Sequence, residues 1–209
     1  MTDLPLLLAF VAAASLLAVT PGVDTAIVLR AATFEGRRHA VMASVGIALG
    51  CLGWGAAVAL GLGALLQASE TAYTLIKIAG AGYLCWLGAR LLYRPRTALE
   101  SDAVGEAVGR RGGAFWRGLL TNLLNPKVGV FYVTFLPQFV PAGANVAGYS
   151  FFLACLHVAL TLAWFGVLIG ATIPLARLLR RPSLMKALDR LTGAVLVAFG
   201  IRLATSSAP

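Results

Sequence analysis

Six apolar runs fill most of the chain, near residues 4–29, 41–66, 71–93, 115–139, 148–176 and 185–204. Each is about as long as the 20 or so residues an α-helix needs to cross a hydrocarbon layer. No stretch alternates apolar and polar residues over about ten positions, as a membrane β-barrel strand would. The pattern predicts an all-α membrane protein of six transmembrane helices, a single domain over residues 1–209. The polar stretch from about 94 to 113, with Glu100, Asp102 and Glu106, reads as a linker between a first half (1–93) and a second (114–209).

Composition and charge sharpen this picture. The chain is 59% hydrophobic and 12% charged, whereas soluble domains are roughly half apolar and a quarter charged. The net charge of +9 comes from short basic clusters between apolar runs, and these do not form the continuous stripe that would bind nucleic acid. Fourteen of the seventeen Lys and Arg lie between 30 and 38, between 90 and 117, or between 177 and 190, while the turns near 67–70 and 137–149 hold none. The positive-inside rule then puts both termini on the periplasmic or outer side of a bacterial inner membrane. The first run is preceded by Asp3 and by no Lys or Arg, so it reads as a retained helix and not as a signal peptide. Cys51, Cys85 and Cys155 lie inside apolar runs without a Cys-x-x-Cys pair; neither a disulfide framework nor a zinc site is indicated, and they read as small core residues.

The two halves echo each other. Thr20-Pro21 answers Asn125-Pro126, Trp54 answers Trp164, and Gly88-Ala89-Arg90-Leu91 answers Gly200-Ile201-Arg202-Leu203, with offsets of 105, 110 and 112 residues rising in chain order. Such a series fits one duplicated unit with small insertions. Three helices per unit is an odd number, so the second copy enters the membrane from the opposite side. Two inverted three-helix repeats are a design that transporters use for alternating access.

Proline inside a spanning helix removes a backbone donor and clashes with the preceding turn, so helices one and four are expected to break at Pro21 and Pro126. Breaks at matching positions imply a polar cavity at the repeat interface, lined by Thr20, Pro21, Gly22, Thr25, Asn122, Asn125 and Pro126, with Thr121 and Thr134 as further candidates. Asp24 and Lys127 follow the two breaks, where an unpaired charge costs about 3 kcal/mol or more. They are expected either to pair with each other, or to bind substrate, with Asp24 also a candidate proton carrier. His157 is a second proton-coupling candidate, because imidazole titrates near neutrality. Gly46-x-x-x-Gly50 and Gly166-x-x-x-Gly170 offer close-packing surfaces.

These residues resemble a known family. Thr20-Pro21-Gly22 with Asp24, the basic turn Gly36-Arg37-Arg38, the Gly46-Ile47-Ala48-Leu49-Gly50 segment, and the stretch Phe115 to Phe139 with Asn122-Leu123, Asn125-Pro126-Lys127 and Phe135-Leu136-Pro137-Gln138-Phe139 are similar to the lysine exporter (LysE/RhtB) family. The resemblance implies a proton- or potential-driven exporter of amino acids or close derivatives, with no cofactor. It departs from the family at Val23, where members often carry a second proline, and at Cys51, where some members with cationic substrates carry an acid. The second departure implies a neutral amino acid. The expected partners are thus a small-molecule substrate and the lipid bilayer, with a homo-oligomer left open. A metal or small-ion exporter, an intramembrane enzyme and a passive subunit are the competing readings. The scarcity of His, Cys and carboxylate in the spans disfavours the first, and the absence of a nucleophile–base set disfavours the second.

Overall fold

The computed structural model describes residues 3–68, 70–96, 113–171, 178–179 and 181–205. The linker residues 97–112, together with Arg177 and Arg180, lie outside them. Among the described residues the fold is entirely helical: α1 (Leu4–Val19), α2 (Val23–Arg30), α3 (Arg37–Ala68), α4 (Glu70–Tyr93), α5 (Ala114–Leu123), α6 (Pro126–Val130), α7 (Val146–Gly170) and α8 (Pro182–Thr205). A π turn (Ala31–Glu35) extends α2, and a π turn (Phe131–Phe135) followed by a 3-10 turn (Leu136–Phe139) extends α6. The first apolar segment therefore runs six residues past its expected end and carries Arg30 within the helix; Gly36, at φ 94°, makes the turn.

Both prolines interrupt their helices. α1 stops at Val19 and the chain resumes at Val23 with a bend of 54°, while α5 and the segment from Pro126 meet at 52°. The cause is local: a residue before proline is pushed out of the α region, and Thr20 (ψ 116°) and Asn125 (ψ 109°) are both extended. Asn125 then caps the new helix, its side-chain oxygen accepting from the Lys127 amide at 3.1 Å, while Pro126 occupies a first-turn position whose missing N–H costs nothing. Two single helices, Arg37–Gly61 and Val146–Gly170, are long and apolar enough to cross a membrane, and counting each bent pair as one span makes four. α4 and α8 have 24 residues each, about 36 Å at the α-helical rise, but carry charges such as Lys77, Arg90, Asp189 and Arg190.

Packing relies on small residues. A Cβ on Gly46 would strike the Phe115 carbonyl, one on Gly118 the Ala43 carbonyl, and one on Gly55 the Ala154 side chain, so α3 lies backbone-close to α5 and α7. α4 and α8 make the most extensive helix pair. Gly88 abuts Gly193 and Val197, and Gly200 abuts Ala81 and Cys85. Subtracting 112 from 193 and 197 returns 81 and 85, so the two contacts are related by the same 112-residue offset that separates Gly88 from Gly200.

Three expectations are corrected. A Cβ on Gly166 or Gly170 would meet nothing within 4 Å, so that motif closes no tight contact among the described residues. Cys155 is exposed and Cys85 only half-buried, leaving Cys51 as the buried cysteine. Arg117, counted from the sequence with the basic cluster between the third and fourth runs, lies inside α5 and is buried, donating to Glu35 at 2.7 and 2.9 Å.

Candidate functional site

The two breaks converge on one chamber of about 50 Å³. Thr20, Gly22, Asp24 and Thr25 line it from the first break, Asn125 and Lys127 from the second, and Cys51, His157 and Thr161 from α3 and α7. Pro21 is buried in the first break, and Pro126 faces outward to a neighbouring basin and groove. Asp24 sits in the first turn of α2, where the exposed amides of a helix start favour negative charge. Its Oδ2 accepts from Asn122 Nδ2 at 2.8 Å. Asn122 is wholly buried and also lies 3.4 Å from the Cys51 sulfur. Gly50 makes room for that amide, since a Cβ there would come within 3.0 Å of the Asn122 side chain. This glycine therefore serves the polar site as well as helix packing.

His157 is buried on α7, with Nδ1 3.0 Å from the Tyr132 hydroxyl and its ring 4.8 Å from that of Phe131. Thr161, one turn on, presents a buried hydroxyl with no hydrogen-bond partner among the described residues, as does Asn122 through its Oδ1. Thr20 donates to the Leu16 carbonyl at 2.6 Å and lies 2.7 Å from the Thr192 hydroxyl of α8. Two residues named from the sequence fall elsewhere. Thr134 donates to the Val130 carbonyl and lines an open apolar groove with Trp54 and Gly80. Thr121 is buried outside the chamber.

Sequence reasoning missed Tyr132, Thr161, Thr192 and, above all, Asp189. Asp189 is buried on α8 and holds Arg96 through three bonds: the backbone amide at 2.8 Å, Nε at 3.0 Å and Nη2 at 2.5 Å. A carboxylate inside the last apolar run was the available signal, by the same argument that marked Asp24.

On either side of the chamber the surroundings differ. Toward the N-terminus of α1 and the end of the second broken helix, Phe10, Phe131, Phe135, Phe139 and Phe199 form one aromatic cluster with centroid spacings from 4.4 to 6.4 Å. On the other side a basin of about 390 Å³ opens, lined by Gly22, Val23, Asn125, Pro126 and Lys127 together with Tyr83, Trp86, Leu87, Arg90, Leu91, Arg94 and Arg96.

Helices broken at proline around a polar chamber, within an apolar helical body, define the class: a helical membrane protein with a polar interior. The chain belongs to the LysE type translocator family, whose pattern matches residues 15–207. The threonine efflux protein of Escherichia coli (strain K12) is 34% identical over 197 residues, covering 90% of this chain and 92% of its own. The leucine efflux protein of Klebsiella pneumoniae is 29% identical over 201 residues, covering 95% and 94%. YrhP, a membrane protein of Bacillus subtilis, is 28% identical over 207 residues, covering 96% and 99%. No solved structure matches the chain.

Proposed function

We propose that this chain exports a neutral amino acid or a close derivative across the bacterial inner membrane as a proton- or potential-coupled secondary transporter. The observation that carries the reading is the meeting of both proline breaks at one chamber lined by Asp24 and Lys127, with Asn122 behind it donating to Asp24. An amino-acid zwitterion needs one anionic and one cationic anchor, and this chamber has both. Its ammonium group faces Asp24, and its carboxylate faces Lys127 and the amides that open α2. Bound substrate also gives a partner to the Thr161 hydroxyl, whose burial without one costs about 1–3 kcal/mol. Asp24 is the single carboxylate among the lining residues, which favours a substrate with one positive group, and the relatives named for threonine and leucine efflux point the same way.

The reading includes six spans arranged as two inverted repeats, with α4 and α8 as the third and sixth, both termini outside, and rocking of the repeats around the chamber. The offset-related contacts of Gly88 and Gly200 support it. So do the nearly equal bends at the two breaks. Asp24 and His157 are the candidates for carrying the coupled proton.

Everted vesicles from cells expressing the chain should accumulate labelled threonine or leucine under an imposed proton gradient, and Asp24→Asn at equal expression should abolish that uptake. Undiminished uptake by the variant removes Asp24 from the mechanism. Absence of uptake for a panel of neutral amino acids, in vesicles that contain the folded protein, overturns the reading.

A further inference from the structure

The basin and the chamber share four residues, Gly22, Val23, Asn125 and Lys127, so a single wall built from both breaks separates them. The basin is strongly basic: Arg90, Arg94, Arg96 and Lys127 line it, and none of the lining residues is acidic. Two of these cations converge on the wall itself. A Cβ built on Gly22 would stand 3.9 Å from Lys127 Nζ and 4.0 Å from Arg96 Nη1. Arg96 is held there by Asp189, which is 1% exposed. Three residues further along α8, Thr192 meets Thr20, at the start of the first break. One helix thus fixes both the cation at the threshold and the edge of the break.

We propose that the basin is the access vestibule for the substrate, that it captures the α-carboxylate through Arg90 and Arg94, and that Arg96, positioned by Asp189, is the gate between vestibule and chamber. This rests on the export reading and adds to it a route, a recognised group and a gating residue. The carboxylate is the matching ligand because guanidinium groups bind it through paired, charge-assisted hydrogen bonds. The wall that the basin shares with the chamber favours a transported anionic group over an anionic lipid headgroup, which basic pockets at membrane interfaces also hold. A carboxylate that displaces Asp189 from Arg96 would release the guanidinium from the threshold and let the substrate reach Asp24.

The test uses the full chain in liposomes, oriented with the basin outward. Arg90→Gln with Arg94→Gln should raise KM for threonine or leucine about tenfold, the loss of one charged hydrogen bond, while kcat stays near its native value. The corresponding amino-acid amides, which lack a carboxylate, should show no such change. The gate is read without transport. In a chain with Cys85→Ala and Cys155→Ala, the remaining Cys51 lines the chamber, and a membrane-impermeant thiol reagent added on the basin side should label it several-fold faster in Arg96→Gln, with Arg96→Lys restoring slow labelling. Unchanged labelling in Arg96→Gln overturns the gate. Unchanged KM in the arginine pair, or a KM that follows the anionic phospholipid content and not the substrate's carboxylate, overturns the vestibule. If the native chain moves no amino acid yet Cys51 labelling still answers to Arg96, the export reading fails and the access route stands.

Discussion

The two sides of the chamber are closed by different physics. On one side five phenylalanines form a cluster around the fully buried Phe139, itself one of the five, which has the rings of Phe10, Phe135 and Phe199 within 5.3 Å. On the other, the neighbouring groups are charged: Asp189 holds Arg96, and Arg96 and Lys127 gather near Gly22, while Glu35 holds the buried Arg117 elsewhere on the broken helices. Aromatic packing has no solvent competitor, since neither water nor a zwitterion replaces a lost ring contact. An ion pair has many, because water, salt and a substrate carboxylate all compete for a guanidinium. The proposed gate on the basic side is thus of the kind a small polar solute can compete for, whereas the aromatic cluster offers it nothing to displace.

That contrast can be attacked from both ends. The largest effect is expected on the aromatic side: Phe139→Ala leaves a cavity amid packed rings and should cost about 4 kcal/mol, read as lowered thermal stability in detergent. It should also expose Cys51 to thiol reagents from the side opposite the basin, and an unaltered labelling pattern would deny the cluster its role as a seal. Next comes Glu35→Ala, which strips the carboxylate from Arg117, 8% exposed, at a cost of about 3 kcal/mol. Glu35→Gln should recover part of the loss by still accepting a hydrogen bond. Tyr132→Phe sits on the boundary and removes the hydroxyl that meets His157, so about 1 kcal/mol is expected with transport largely retained. Smallest is salt. Raising ionic strength from about 0.1 to about 1 M shrinks the screening length from about 10 to about 3 Å, and KM should rise modestly in the native chain but hardly in the Arg90→Gln, Arg94→Gln double variant. Equal salt responses in the two would make the basin's charge irrelevant to capture.

The legible and illegible parts of the molecule separate along the same physical line. Pro21 and Pro126 announced their breaks because proline's missing N–H and its steric demand on the preceding residue act within a few positions of chain, whatever surrounds them. Asp24, Lys127 and His157 were visible as ionisable groups inside apolar runs, and all three line the chamber. Asp189 carried the same signal but stood close to Lys186 and Arg190, so it blended into a basic helix end. Thr161 and Tyr132 gave no signal at all, since a threonine or tyrosine in an apolar helix is ordinary.

What the sequence determined alone is therefore what local backbone chemistry and bulk hydropathy control: helices, their approximate lengths, the two interruptions, and the segregation of basic residues. Which face of each helix turns inward was decided by the tertiary structure. In a water-soluble protein, periodicity reveals that face because one side is wetted; in a chain surrounded by hydrocarbon, interior and exterior are both apolar, and the pattern loses contrast. Cys51 thus fell inside and Cys155 outside, Gly46 and Gly50 met α5 while Gly166 and Gly170 met nothing among the described residues, and residues as far apart as Thr20 and Thr192 or Arg96 and Asp189 became partners. Only the crossing of helices in three dimensions brings such groups within bonding distance.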